Sequence, residues 1–289
     1  MLNNYLPLVS ILIPIHNEIN CTLKCLASLK EVDYPNYKII IIDDGSTDGS
    51  EEIISENYHY VEILKGDGNL WWSGAMNLGI KHALKLGTDY ILTLNNDNVV
   101  DKNFLNELVK CAQANPKSII GSKVYFIDSP QKIRYAGGYF DWKRGKTVGL
   151  NYGEIDRGQF ADLKEVEFLG GMGVLIPKSA FYDVGFFDDK NFPQYAGDVD
   201  YWLRAKKKGY KILLNPDSII YDHPDKSGTK NLGPKLSPIY VLKSLFSIKS
   251  HINIKTQYKF FKHHCPKKYF IRSFLLFYFN CIKLWIGIK

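Results

Sequence analysis

Four polar clusters in this 289-residue chain could do chemistry, and each interrupts or follows an apolar run. "IHNE" (15–18) offers His16 and Glu18, and "IIDDGSTDGS" (41–50) offers Asp43 and Asp44. "LTLNNDNVV" (92–100) breaks a strand-like run with Asn95, Asn96, Asp97 and Asn98. "GDVDYWLRAKKKGYKILLNPDSIIYDH" (197–223) opens on Asp198 and Asp200 and closes on His223. An ionised carboxylate can accept from a base N–H or a ribose hydroxyl, bind a hard cation, or take up a proton. Each cluster also has a plain structural reading. "NNDN" reads equally as an Asn/Asp turn, and "DDGSTDGS" as a strand-to-helix turn capped by Asp48 or Ser50. Asp198 and Asp200 fit the first turn of a helix, and His223 fits a loop as well as a metal site.

The surrounding elements decide whether these clusters can meet. "LVSILIPI" (8–15), "YKIIIIDDGS" (37–46), "YVEILK" (60–65) and "YILTLNND" (90–97) predict buried strands. Helical spacing falls between them at 20–32, 49–57 and 74–87. Such alternation predicts a parallel sheet covered by helices on both faces, with ligands at the carboxyl ends of the strands. The polar clusters stand at those ends. Further on, "QKIRYAGGYFDWKRGKTVG" predicts a hairpin with Gly137-Gly138 in or near its turn, and 166–181 predicts strand, Gly-rich bend, strand and helix start. A helix ending at Gly209 and one or two strands follow. "GGMG" (170–173) is no dinucleotide fingerprint, because no G-x-G-x-x-G follows a first strand.

Composition sets the outer bounds. The chain is 45% hydrophobic, enough for a substantial core. Five cysteines without a C-x-x-C pair point to a reduced, cytosolic chain. The apolar start lacks a basic n-region and runs directly into "HNE", which reads as a strand, not a signal peptide. The net charge of +7 is unevenly spread: residues 231–289 hold 11 Lys/Arg and no acid, so the rest carries −4.

In order and spacing, "SILIPIHNE", "IIDDGSTDGS", "GNLWWSGAMNLGI", "LTLNNDNVV", "FLGGMGVLIPKSAFYDVGFFDD" and "YAGDVDYWLRAKKKGYKILLNPDSIIYDH" resemble the inverting glycosyltransferases of family 2 with the GT-A fold. The resemblance spans roughly residues 7–225 and implies a Rossmann-like mixed α/β sheet with helices on both faces. It implies a nucleotide-diphosphate sugar donor, a glycan or lipid-linked acceptor, and Mg²⁺ or Mn²⁺. On the donor side Pro14 and His16 match positions lining the base, and Asp44 matches the acid that reads it, with Asp43 and Glu18 beside it. Asn77 falls on the helix lining the donor site, and Asn96 and Asp97 fall on the D-x-D region. Asp97 and His223 match the metal ligands, and Asp198 the catalytic base. Trp72, Gly171 and Met172 are the expected acceptor-side residues. Two positions depart from the pattern: Asn95 replaces the first acid of D-x-D, and Gly197 stands where Glu is common. One carboxylate still suffices, because a hard dication draws most of its oxygens from phosphates and waters. "GNLWWSGAMNLGI" resembles a rhamnosyltransferase-like branch that builds bacterial surface polysaccharides.

The division expected is a GT-A domain over 1–230 and a basic, aromatic helical segment over 231–289. In that segment Arg272 and Lys283 leave too short an apolar run for a membrane span. Its composition favours an interfacial helix on an anionic membrane, on the inner face of the cell membrane, over nucleic-acid binding. The rival view packs it on the body as a helix pair. Two rival functions stand beside transfer. A sugar-phosphate nucleotidylyltransferase requires a Gly-rich, Arg-bearing loop that "PIHNE" does not supply. A catalytically silent nucleotide- or carbohydrate-binding protein would not require Asp97 and Asp198.

Overall fold

The computed structural model describes residues 6–223 and 238–285. The expected boundary at 230/231 and the polar loop after His223 lie outside the described residues. Strand β1 (Val9–Ile15) is buried at almost every position, as is the second half of β2 (Tyr37–Asp43). Their β-branched side chains fill both faces of the sheet, which accounts for the continuous apolar runs. β1 pairs in parallel with β2 and with β4 (Tyr90–Thr93), and β2 pairs in parallel with β3 (Val61–Lys65). Helices α1 (Ile19–Lys30), α2 (Ser50–Asn57) and α3 (Trp71–Lys85) make the crossovers.

The second half makes the sheet mixed. Past the short β5 (Asn98–Val100) and α4 (Phe104–Ala114) comes β6 (Ser118–Phe126), followed by β7 (Ser129–Tyr135). β8 (Gly138–Asp141) and β9 (Lys146–Gly149) form a separate hairpin. Its turn runs over 142–145, whereas Gly137 (φ +72°) makes the joint between β7 and β8. The expected turn at Gly137-Gly138 therefore moves several residues along. β10 (Lys164–Glu165) and β11 (Val174–Pro177) precede α5 (Lys178–Asp183), α6 (Gly197–Lys207) and β12 (Lys211–Asp222). The last is one strand with an irregularity between Asn215 and Ile219. The principal sheet runs β10-β12-β6-β11-β4-β1-β2-β3, with β11 antiparallel to both neighbours.

The C-terminal segment forms α7 (Pro238–Phe246), α8 (Ile254–His264) and α9 (Phe270–Trp285). α8 and α9 dock on the body. Phe260, Phe261 and Cys265 form a small core with Phe192, flanked by Phe140, Trp142, Phe274 and Phe277. Polar ties reinforce the docking: His264 Nε2 lies 2.7 Å from Asp200 Oδ1, and Lys259 Nζ donates to Asn191. Ser273 Oγ donates to the Trp142 carbonyl. α9 also keeps a second, outward face. Ile271, Leu275, Phe279 and Ile282 recur at helical spacing and are exposed, with Arg272 and Lys283 alongside. No helix among the described residues is long and apolar enough to cross a membrane.

Candidate active site

The loops after β1 and β2 interlock. Asn17 N–H donates to Ser46 Oγ, Thr47 N–H donates to the Asn17 side-chain carbonyl, and Asp48 accepts from the Ile19 N–H at the start of α1. Asp48 thus caps a helix from another loop as well as bonding Ser50. Asn17 (φ 62°) and Glu18 (φ 64°) are left-handed, a conformation that costs a non-glycine residue about 1–2 kcal/mol. Trp71 (φ 56°) and Ala196 (φ 66°) adopt it too. Strain of this kind collects where the backbone is shaped for a ligand.

Between these loops, α3 and the β4–β5 turn lies a cavity of about 470 Å³, lined by Pro14, His16, Asp44, Trp71, Trp72 and Asn95–Asp97 among others. Asp44 is buried. Its Oδ1 accepts from the Gly68 N–H (2.8 Å), and its Oδ2 accepts from Leu70 (2.9 Å) and Trp71 (3.0 Å). It therefore builds the loop that starts α3, and its negative charge sits at the positive helix end. This explains why α3 begins three residues before its apolar periodicity does. Asp43 accepts from the Ser46 N–H and, like the exposed Glu18, does not line the cavity.

"NNDN" is both a turn and a cavity wall. The Asn98 N–H donates to the Asn95 carbonyl, and Asn98 Oδ1 accepts from the Asn95 N–H, closing the turn. Asn98 also donates to Asp222 across the β5–β12 pair. That antiparallel pairing ends at Asp222 and Asn98, and His223 and Asp97 are the residues that directly follow and precede it. Asp97 charge, after burial, helps push the neighbouring Cys25 thiol up. With both Asp44 oxygens committed to backbone N–H groups, Asp97 is the lining carboxylate suited to a dication, whereas His223 is not among the residues lining the cavity. The donor set fits Mg²⁺ or Mn²⁺. A second group with metal-capable atoms, Asp200, His263 and His264, lies within 4.8 Å of itself. There the Arg204 guanidinium already holds Asp200 at 2.7 Å, so the cluster pins α8 to α6.

A smaller cavity of about 330 Å³ adjoins the first, Tyr195 lining both. Asp198, in the first turn of α6, lines this second space with Gly170 and a group of aromatic rings. Burial pushes its carboxyl up from 3.8 to about 6, against hydrogen bonds from backbone N–H groups that pull it down. Such a group is ionised at neutral pH yet basic enough to take a proton. Burial and, second, the Asp198 charge hold the Tyr135 hydroxyl well above its ordinary range, so Tyr135 remains a donor there. Gly197 also has a physical reason: a Cβ would fall 2.3 Å from Ser73 Oγ and 2.9 Å from the Phe192 carbonyl.

Other expected site residues take supporting places. Asn77 is buried and bonds both backbone groups of Phe187 and the Asp189 carboxylate, away from the cavity. Trp72 lines the larger cavity and donates from Nε1 to Asn95 Oδ1. A Cβ on Gly171 would fall 2.7 Å from the Trp72 ring, and Met172 Sδ accepts from Asn98. Trp72 and Met172 therefore brace the Asn95–Asn98 turn, and Gly171 packs closely on the Trp72 ring. Lys249 is the lysine lining the larger cavity, 5.9 Å over the Trp71 ring. Within a uniformly basic tail, no sequence signal separates it from its neighbours.

The family model for Glycosyl transferase family 2 matches residues 10–185, more than half of the chain. The chain belongs to this family. It is 25% identical over 225 residues to Glycosyltransferase AglE of Haloferax volcanii, covering 76% of this chain and 67% of that protein. It is 29% identical over 222 residues to the poly-beta-1,6-N-acetyl-D-glucosamine synthase of Staphylococcus epidermidis, covering 74% of this chain but 49% of the relative. Among solved structures, the mannosyltransferase PcManGT of Pyrobaculum calidifontis, in complex with GDP-Man and Mn²⁺, superposes with a TM-score of 0.58 at 15% identity. That match covers 79% of this chain and 61% of the other. The architecture is a GT-A sheet flanked by helices, with a C-terminal aromatic and basic helical element.

Proposed function

We propose that the chain transfers a hexosyl unit, with inversion, from a nucleoside-diphosphate sugar to a hydroxyl of a glycan or lipid-linked acceptor in polysaccharide synthesis. The observation that carries the reading is Asp198, a carboxylate raised to about 6, in a space that shares Tyr195 with the Asp97 cavity. Pro14 and His16 line one part of the larger cavity for the base, and Asn95–Asp97 line another for the diphosphate and sugar. Asp97 and His223 would hold the dication. When bound, it supplies Lewis-acid neutralisation of the departing diphosphate. Asp198 takes the acceptor hydroxyl proton as that oxygen attacks the anomeric carbon. The bond from that carbon to the β-phosphate oxygen breaks, its electron pair leaves with the nucleoside diphosphate, and one displacement inverts the centre. A bound donor stabilises the fold by mass action, so a thermal-shift screen of nucleoside-diphosphate sugars with Mn²⁺ tests the reading. A nucleoside-diphosphate rhamnose belongs in the screen on the strength of "GNLWWSGAMNLGI" alone. At least one donor raises the melting temperature in a metal-dependent way; no metal-dependent shift across the screen refutes donor binding.

The outward face of α9 supports peripheral attachment to the anionic leaflet on the inner side of the membrane. Exposed Ile271, Leu275 and Phe279 would enter the headgroup boundary, with Lys267, Lys268 and Arg272 facing lipid phosphate. Co-sedimentation with anionic and neutral vesicles at low and high salt checks this. Retention only on anionic vesicles at low salt is expected, and none on any vesicle removes the membrane role.

A further inference from the structure

The C-terminal segment was expected to be an appendage, yet it furnishes walls of the space around Asp198. His251, Gln257, Phe260, Phe261 and Phe277 come from that segment. Phe140, Trp142, Lys146 and Thr147 come from the β8–β9 hairpin, and Tyr135, Phe168 and Gly170 from the body. The segment is held there by the Asp200–His264 contact two residues beyond Asp198, and by packing of Trp142 against Phe260 and Phe261. We propose that this cavity is the acceptor subsite, and that it takes a neutral sugar ring, with the C-terminal segment an integral part of the active site.

The chemistry of the lining selects this ligand. A pyranose presents apolar C–H faces and a rim of hydroxyls, and so needs apolar walls with a few placed polar groups. The walls here are aromatic. Tyr135, Thr147, His251 and Gln257 bring hydrogen-bonding groups to the same space. A phosphate-bearing group would call for a cluster of cations, whereas the lining holds one lysine, Lys146. A lipid chain would have no use for the polar groups. The volume, about 330 Å³, lies at the small end of the range of about 300–1,000 Å³ for small-molecule sites, which suits one ring better than an extended chain. Asp198 lines the same cavity, so a hydroxyl on the ring's rim would lie within its reach.

The proposal rests on the glycosyltransfer reading, and the test separates the two. Thr147 is exposed on β9 and lines the cavity without belonging to the core, so Thr147→Trp fills the space while Thr147→Ala leaves it open. Saturation-transfer NMR is run on both variants and the unaltered chain, with uridine, guanosine and thymidine diphosphates and Mn²⁺ present. The probes are methyl glycosides of glucose, galactose, mannose and N-acetylglucosamine, alongside hexanol as a short alkyl chain. Calorimetric titration of the same diphosphates reads the donor cavity and the integrity of the fold. The expected result is a signal from at least one glycoside in the unaltered chain and Thr147→Ala. In Thr147→Trp that affinity falls by about tenfold or more, while nucleoside-diphosphate affinity is retained. If diphosphate binds but the glycoside signal persists in Thr147→Trp, or is absent throughout, or only hexanol binds, the subsite is overturned while the donor reading stands. If no diphosphate binds any of the three proteins, the glycosyltransfer reading fails, and the subsite proposal with it.

Discussion

Replacing Asp198 by Asn should make the protein more stable and far less active, and both effects follow from one placement. The carboxyl is pushed up from 3.8 to about 6 by burial beside aromatic rings. At about 1.4 kcal/mol per pH unit, and discounted for the solvent that reaches the cavity, ionising it in the folded chain costs about 2–3 kcal/mol. The sign is fixed by linkage. Between about pH 4 and 6 the folded protein holds this proton while the unfolded chain has released it, so stability falls as pH rises through that window. Below it both states are protonated and the cost vanishes; above it the full cost persists. Asn cannot ionise, and its side-chain carbonyl still accepts from the Val199 N–H as Asp198 Oδ1 does at 2.8 Å. The variant should therefore melt about 3–5 °C above the unaltered protein at pH 7.5, with the gain closing towards pH 4. Turnover should fall by about 10²–10⁴. In the unaltered enzyme, kcat/KM should rise with pH up to about 6 and then level. Melting curves at several pH values and initial rates with one donor provide the assay. A gain over the unaltered protein no larger at pH 7.5 than at pH 4 would refute the buried charge. Near-normal turnover would return Asp198 to the role of a helix-start acid.

Three further outcomes follow from the same geometry. Asp97→Ala should keep the fold but lose the metal-dependent part of nucleoside-diphosphate affinity, read by calorimetric titration with and without Mn²⁺; unchanged affinity rules Asp97 out as a ligand. Asp44→Ala strands the N–H groups of Gly68, Leu70 and Trp71 and should cost about 3–5 kcal/mol of stability, so an unchanged melting temperature would contradict its role in building the α3 start. Lys249→Ala should weaken nucleoside-diphosphate binding by about tenfold and flatten its salt dependence, with Lys249→Arg restoring both. Equal affinity in Lys249→Ala would place that lysine outside the site.

What the sequence made legible was whatever its local period and strand ends encode. Continuous apolar runs at 9–15 and 37–43 could hardly be anything but strands buried on both faces, and the polar residues after them do gather round one cavity. What stayed hidden depends on contacts between distant segments. Asp44 reads as a ligand acid, and only the structure shows that its oxygens also accept three N–H groups some 24–27 residues away. Asn77 lies on the expected helix, but helix spacing alone cannot show that its amide is spent on Phe187 and Asp189, 110–112 residues on. Gly197 reads as a departure from the family pattern, and only the approach of Ser73 supplies its reason.

The tail raised the sharpest conflict, because a basic aromatic segment can equally cover a core or meet a membrane. The period of α9 leaves room for both roles. Its side at Phe274 and Phe277 packs on Phe261, and Ser273 on that side bonds the hairpin. Its other side carries Ile271, Leu275, Phe279 and Ile282 into the open. A helix apolar on one stripe alone would have to serve one purpose, whereas two stripes parted along one flank by Arg272 and Asn280 can serve both. The inner stripe reaches the cavity of Asp198 through Phe277, and the outer stripe carries the face proposed to meet lipid. Truncating α9 to test membrane binding would therefore also open the space around Asp198. Single charges placed on the outer stripe, such as Leu275→Glu, separate the two roles: vesicle retention should fall while the pH dependence of turnover holds.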